Sequence, residues 1–145
     1  MPDCVVDAAV LYYANGALVG RRPGTILDRR LTVIEQAARG TRRVRYNSKL
    51  LGEYRRVVQE FRNDVIEIFF SVLDSDRAVF VRRNNLSRQH YDVAVNRCRW
   101  PGHDQHLLAA ALGGIDPTIF VSEDRHVQCR LVIYRHFRIR IEDLA

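Results

Sequence analysis

The stretch from His103 to Val127, HDQHLLAAALGGIDPTIFVSEDRHV, limits the possible folds most, because it contains a helix, a turn and a strand in succession. Apolar residues follow Asp104 at helical spacing, so we expect this aspartate in the first turn of a helix, where a carboxylate suits the positive end. Gly113 and Gly114 predict the end of that helix. The run 118–121 is β-branched and aromatic, which is typical of a buried parallel strand.

Helices and strands alternate along the rest of the chain, and no hairpin signal interrupts them. A short apolar strand at 4–6 comes first, a helix is predicted from Thr25 to Arg39, and another helix follows a cap at Asn47 or Ser48. Further helices are predicted over 64–73, 86–98 and 127–134, with a terminal strand over 137–141. This alternation predicts a single three-layer α/β/α domain over residues 1–145, with a mostly parallel central sheet.

Acidic side chains follow two of the predicted strands, where Asp7 ends the first and Asp124 comes shortly after the strand at 118–121. In open α/β sheets, ligands and metal ions gather at the carboxyl ends of the strands. Asp7 lies between apolar runs, so its burial is unfavourable unless a partner or an ion compensates the charge. The alternative for Asp7 is a helix cap. In the helix after Asn47, periodicity does not choose between Glu53 and Glu60.

Composition narrows the class of protein. The formal net charge is +6 and Lys49 is the single lysine, so arginine carries nearly all of the positive charge. Arginine favours planar, bidentate contacts to phosphate, although a solvated surface is the alternative. The scattered Cys4, Cys98 and Cys129 predict a reduced, cytoplasmic protein without structural disulfides or zinc. No apolar run approaches the roughly 18 residues of a membrane span, so membrane insertion is excluded.

Four segments together resemble the PIN domain family of metal-dependent nucleases, in order and spacing along nearly the whole chain. They are CVVD at 4–7, LGEY at 51–54, DQHLLAAA at 104–111 and VSED at 121–124. The resemblance implies an acidic quartet that holds one or two Mg²⁺ or Mn²⁺ ions for phosphodiester hydrolysis, often of RNA, supported by the hydroxyl of Ser122. The members of this quartet are Asp7, Glu53, Asp104 and Asp124. The resemblance therefore favours Glu53 over Glu60.

Elementary electrostatics agrees with a metal at such a quartet. Carboxylates that are brought together raise one another's pKa, so a cluster of four near neutral pH is best explained by a bound cation. Oxygen ligands suit a hard ion, and Mg²⁺ keeps open positions for a substrate phosphate. Basic side chains nearby would hold the flanking phosphates of RNA. The candidates are Arg39, Arg42, Arg43, Arg45 and Arg125.

The chain departs from the family pattern at two places. Ala8 and Ala9 follow Asp7 where the family usually has Thr-Asn, and His126 stands where a further acid often follows the last one. Ala9 also argues against a phosphatase of the haloacid dehalogenase type, which carries a second aspartate at that position. His103 and His106 are interpreted as surface or cap-region histidines, because no cysteine or histidine has ligand spacing to them.

The first functional hypothesis is a Mg²⁺- or Mn²⁺-dependent ribonuclease, as the toxin of a prokaryotic toxin–antitoxin pair. The second is a PIN-like domain that binds RNA or a protein without cleavage. The apolar helix over 64–73, together with Tyr12 and Tyr13, predicts a homodimer or a groove for an antitoxin protein.

Overall fold

A five-stranded parallel sheet forms the centre of the protein. The computed structural model describes residues 1–17 and 28–145, and of Asp124 it describes the backbone alone. The strands are β1 (Asp3–Val6), β2 (Arg43–Tyr46), β3 (Val79–Phe80), β4 (Thr118–Val121) and β5 (Arg140–Asp143). Their spatial order is β3-β2-β1-β4-β5, and every neighbouring pair is parallel. The sheet lies between helices, so the predicted three-layer α/β/α fold is confirmed.

Eight α-helices are described in addition to the sheet. They are α1 (Ala8–Asn15), α2 (Arg29–Arg39), α3 (Ser48–Val57), α4 (Asp64–Leu73), α5 (Arg88–Tyr91), α6 (Gln105–Ala111), α7 (Asp124–Val127) and α8 (Arg130–Phe137). A π-helix covers Asp92–Arg97 and a 3-10 turn covers Gly102–Asp104. The predicted helix start at Thr25 lies outside the described residues.

The central strands of the sheet are completely covered. Every residue of β1 and β4 is buried, and their register pairs Val6 with Phe120. Strands without an exposed face are expected in a parallel sheet that has helices on both sides. Because β1 and β4 are parallel neighbours, the residues that follow Val6 and Val121 meet at one edge of the sheet.

Short polar side chains begin several of the helices. Asn47 accepts a hydrogen bond from the backbone N–H of Leu50 at the start of α3, and Asn63 accepts one from Ile66 at the start of α4. Such caps satisfy amide donors that the first helical turn leaves free. At the other end of α6, Gly113 adopts a left-handed φ of 84°, which confirms the predicted helix end.

The last helix is present, but the apolar residues whose spacing predicts it, Val127, Leu131, Val132 and Tyr134, do not form its buried face. Leu131 and Tyr134 are exposed, at 76% and 39% of their surface, whereas Ile133 and Phe137 are buried. A short helix with few apolar residues leaves its phase poorly defined by periodicity, so the packing against β5 decides which face is buried. Phe137 consequently ends α8 and does not begin the terminal strand.

The expectation of no structural disulfide is also wrong. Cys98, after the π-helix, and Cys129, before α8, form a disulfide with a Cα–Cα distance of 5.7 Å. The two cysteines are 31 residues apart in sequence, and only the fold brings them together. Cys4 is a free, buried cysteine in β1.

None of the helices in the described ranges, 1–17 and 28–145, is long and apolar enough to cross a membrane.

Candidate functional site

Asp7 lies where the central strand β1 passes into α1. Its backbone N–H donates to Phe120 O across the sheet at 3.0 Å, and its own carbonyl accepts from Val10 in the first turn of the helix. Asp7 therefore occupies the N-cap position, but its side chain makes no capping hydrogen bond. The residue is only 8% exposed. A buried carboxylate at a strand end that does not serve as a cap is available for a ligand.

The electrostatic surroundings of Asp7 are unfavourable to its charge. Burial is the largest effect and raises the pKa of Asp7, the negative charges of Asp104, Glu53 and Glu123 raise it further, and His126 opposes them. The result is a pKa of about 6. Asp104 and Glu53 therefore each lie within electrostatic range of Asp7 at this edge of the sheet.

Glu53 reaches the same region from the third helix. Its Oε1 lies 2.6 Å from Nε2 of His106, a residue of α6 that is fully buried. Glu60 lies outside this region, because its side chain is 77% exposed and pairs with that of Arg62. The geometry thus separates the two glutamates that periodicity left equivalent.

Asp104 is held at the start of α6 by its neighbours in the fold. Its backbone carbonyl accepts a hydrogen bond from the indole N–H of Trp100 at 3.0 Å. Its side chain makes no capping hydrogen bond, and Asp104 is the N-cap residue of α6 at the end of the 3-10 turn, not a residue of the first helical turn as predicted. Oδ2 of Asp104 lies 2.8 Å from Nε2 of His126 and 3.8 Å from Nη2 of Arg125.

The positive and donor groups around Asp104 outweigh its burial. Burial raises the pKa of this carboxyl, but the hydrogen bond and charge of His126, followed by the charges of His103 and His106, lower it. The net pKa of Asp104 lies below its usual value. Asp104 is therefore ionised across the neutral range, while its neighbour Asp7 is much easier to protonate.

Two of the site histidines are buried, which corrects one expectation from sequence. His106 is fully buried and does not lie at the surface, whereas His103 is largely exposed and its Nε2 lies 3.6 Å from Asp104. His126 is also fully buried and contacts the ring of Trp100 with a centroid distance of 4.8 Å. Neither buried ring could be recognised from its local sequence.

The fourth acid of the predicted quartet, Asp124, is the first residue of α7, the helix that follows β4. Its side chain lies outside the described part of the structure. Ser122 follows β4 directly and is partly buried. The role of both residues stays a prediction.

The donor chemistry of this edge fits a hard divalent cation. Most of its ligand atoms are carboxylate oxygens. The buried carboxylate of Asp7 makes no capping hydrogen bond, and the neighbouring acids disfavour its ionised form. Among the side chains that the structure describes, no three acidic, histidine or cysteine groups are placed to ligate one ion.

Two of the arginines predicted to contact RNA make structural contacts within the protein instead. Arg45 is buried, and its guanidinium donates to Ala110 O at 2.8 Å and to Leu112 O at 2.9 Å at the end of α6. Arg43 forms a two-pronged pair with the fully buried Asp3. Their phosphate-contact prediction is therefore withdrawn, because both guanidinium groups are used to hold β1, β2 and α6 together.

The other predicted arginines divide between the two edges of the sheet. Arg39 and Arg42 lie before β2, at the amino ends of the strands and away from the acids, where Arg39 pairs with Glu35. Arg125 lies at the acidic edge, because it approaches Asp104 and its Nε contacts Glu123 at 2.5 Å. Of the predicted phosphate contacts, only Arg125 is placed beside the candidate site.

Sequence reasoning missed a basic segment that begins beside the site. The segment 125–141 contains five arginines, two histidines and no acidic residue. Arg130, Arg135 and Arg138 are exposed on or just after α8, and the guanidinium of Arg138 lies 5.6 Å from the ring centroid of exposed Tyr134. The absence of acids over this segment was the available signal.

Lys49 also lies at the site, since its Nζ donates to His103 O at 3.0 Å.

Comparison of the chain with family models, with curated proteins and with solved structures finds no match.

Proposed function

We propose that this protein is a divalent-metal-dependent ribonuclease that hydrolyses RNA phosphodiester bonds with Mg²⁺ or Mn²⁺. One observation carries the proposal: Asp7, Glu53 and Asp104, from three separate segments, come into electrostatic range at the carboxyl edge of a parallel sheet. In such sheets this edge is the usual place for ligand binding. The same three residues, with Asp124, are the quartet that the resemblance to PIN domains implies.

The electrostatics of the acids supports a metal-dependent role. Burial raises the pKa of Asp7 first, and repulsion from Asp104 and Glu53 raises it further, to about 6. A cation bound by Asp7 would relieve that repulsion. A bound Mg²⁺ or Mn²⁺ supplies a water of lowered pKa and neutralises charge on the leaving oxygen. The protein's own part is to hold the carboxylates, and Arg125 is close enough to place a guanidinium on a neighbouring phosphate.

The choice of a polyanionic substrate rests on charge. The exposed arginines of the segment 125–141 continue from Arg125 along α8, so a strand that enters the acidic edge would meet successive cations. Tyr134 adds an exposed aromatic ring among them, and bases of single strands stack on such rings. Single-stranded RNA is therefore the substrate class that we propose.

The second candidate is a PIN-like domain that binds RNA or a protein without cutting. Ala8 and Ala9 favour it, because they leave no polar side chain after Asp7 to order the site. Exposed apolar residues, among them Tyr12, Tyr13 and Ile68, favour a further contact with an antitoxin or a second copy of the chain.

Cleavage of a labelled single-stranded RNA, with Mn²⁺, Mg²⁺ or EDTA, tests the choice between nuclease and binder. We expect metal-dependent cutting that Asp7→Asn abolishes without a loss of RNA binding, because the variant removes a metal ligand and not a phosphate contact. Asp76→Asn, an exposed acid in the turn after α4, is the matched control and should cut normally. Binding without metal-stimulated cutting by the wild-type protein would establish the binder instead.

A further inference from the structure

The two buried histidines of the site are the most unusual polar groups in the described structure. His106 and His126 are both completely buried, and each contacts one acid of the proposed quartet through Nε2. The second ring nitrogen of each, Nδ1, is buried and has no hydrogen-bond partner among the described residues. Buried polar atoms are normally paired, so this arrangement calls for an explanation.

The contacts fix which nitrogen carries the hydrogen. An ionised carboxylate can only accept, so the short contacts of Glu53 and Asp104 require an N–H on Nε2 of their histidine partners. No described acceptor faces Nδ1 in either ring. A hydrogen on Nδ1 would be a buried donor without a partner, so the described contacts account for a hydrogen on Nε2 of each ring.

This tautomer excludes both rings as metal ligands in the present geometry. A histidine binds a metal through an unprotonated nitrogen and almost always donates its other N–H to a partner. In His106 and His126 the nitrogen nearest the acids carries the hydrogen, and Nδ1 is enclosed by protein. The rings therefore act on the carboxylates and not directly on an ion.

The described contacts reach only one of the two oxygens of each carboxylate. On Asp104, the contacts of His126, His103 and Arg125 all reach Oδ2. On Glu53, the contact of His106 reaches Oε1. No described residue donates a hydrogen bond to Oδ1 of Asp104 or to Oε2 of Glu53, and these oxygens are the ones left for an ion.

From this geometry we propose that His106 and His126 are positioning residues, which donate from Nε2 to Glu53 and Asp104 and fix the orientation in which these two carboxylates would bind the metal. The inference rests on the proposed metal-dependent function and adds to it the groups that orient two of its ligands. Trp100 supports the arrangement, because it packs on the ring of His126 and holds the backbone of Asp104. Hydrogen bonds to ligating carboxylates are the usual means by which proteins orient them.

Substitutions at His126 test the proposal by the position of the donor. A glutamine amide reaches the place of Nε2, whereas an asparagine amide reaches only that of Nδ1. We expect His126→Gln to bind Mn²⁺ within about threefold of wild type and His126→Asn to bind it roughly 10- to 100-fold more weakly, in calorimetric titration. The same order is expected for His106→Gln and His106→Asn. The exposed His136→Asn is the control and should bind as wild type does.

A second measurement needs neither metal nor a substitution. Nitrogen NMR of the metal-free protein should show Nε2 protonated and Nδ1 unprotonated in both His106 and His126. Protonation at Nδ1 with a bare Nε2 would overturn the proposal, and so would equal Mn²⁺ affinity of the Gln and Asn variants. If wild type binds neither Mn²⁺ nor Mg²⁺, the proposed function itself fails. If wild type binds metal but the affinities of the variants do not depend on the position of the donor, only the positioning role of the histidines fails.

Discussion

Replacement of Asp7 by asparagine should stabilise the metal-free protein while it removes the activity. The pKa of Asp7 is raised from 3.8 to about 6, first by burial and then by the neighbouring acids. Each pKa unit corresponds to about 1.4 kcal/mol, so the ionised carboxylate lowers the free energy of unfolding by up to about 3 kcal/mol at pH 7.5. Asparagine removes this charge at nearly constant volume. We expect a net gain of about 1 to 3 kcal/mol, because the buried amide offsets part of the relief.

The stability gain of Asp7→Asn should depend on pH, and this dependence tests its sign. Since the native pKa of Asp7 lies above that of the unfolded chain, the native state binds the proton more tightly, and stability decreases as the pH rises from 3.8 through about 6. Below this window both states are protonated and the carboxyl costs nothing. The difference between Asp7→Asn and wild type should therefore fall to below about 1 kcal/mol at pH 4.

Urea denaturation in EDTA, at pH 7.5 and at pH 4, measures both values, and Asp76→Asn serves as the exposed control, with an expected change within about 0.5 kcal/mol. Mn²⁺ at about 1,000 times its Kd should reverse the order of wild type and Asp7→Asn, because it adds about 4.1 kcal/mol to the protein that binds it, which exceeds the expected gain of the variant. A variant that is less stable than wild type in EDTA at pH 7.5 would refute the reasoning, since Asp7 would then be a stabilising charge.

Three further expectations concern other parts of the molecule. The affinity for single-stranded RNA in EDTA should decrease with salt at a log–log slope of about −0.7 per neutralised phosphate. Arg135→Glu should weaken binding and flatten this slope, whereas Arg39→Glu at the opposite edge should change neither the affinity nor the slope. Equal losses of affinity in the two variants would show that α8 does not contact RNA. Loss of the cross-link between Cys98 and Cys129 in Cys98→Ser should lower the free energy of unfolding by about 3 to 4 kcal/mol under oxidising conditions and leave it nearly unchanged under reducing conditions. If the exposed apolar surface is an interface, light scattering at micromolar concentration should give a dimer mass that Ile68→Asp lowers, and a wild-type monomer would contradict this.

The sequence by itself determined the layers of the fold and the places of the acids. The buried run 118–121 and the alternation of helices and strands are properties of neighbouring residues, and local periodicity reports them directly. Asp7 and Asp104 could be located because strand ends and helix starts are visible in the local sequence. In a parallel sheet the ends of adjacent strands meet at one edge, which places Asp7 there, whereas the approach of Asp104 and Glu53 to Asp7 was expected from the resemblance alone.

Only the tertiary structure decided which partners these residues have. His126 and Asp104 are 22 positions apart, His106 and Glu53 are 53 apart, and Arg45 bonds to a carbonyl 65 positions away. No local pattern encodes such contacts, because burial and pairing depend on which helix packs on which strand. An arginine that satisfies helix carbonyls in the interior has the same local appearance as one that awaits a phosphate, and a buried histidine the same appearance as an exposed one. The difference is the free energy of desolvation, which is set by the surrounding fold and not by the neighbouring sequence.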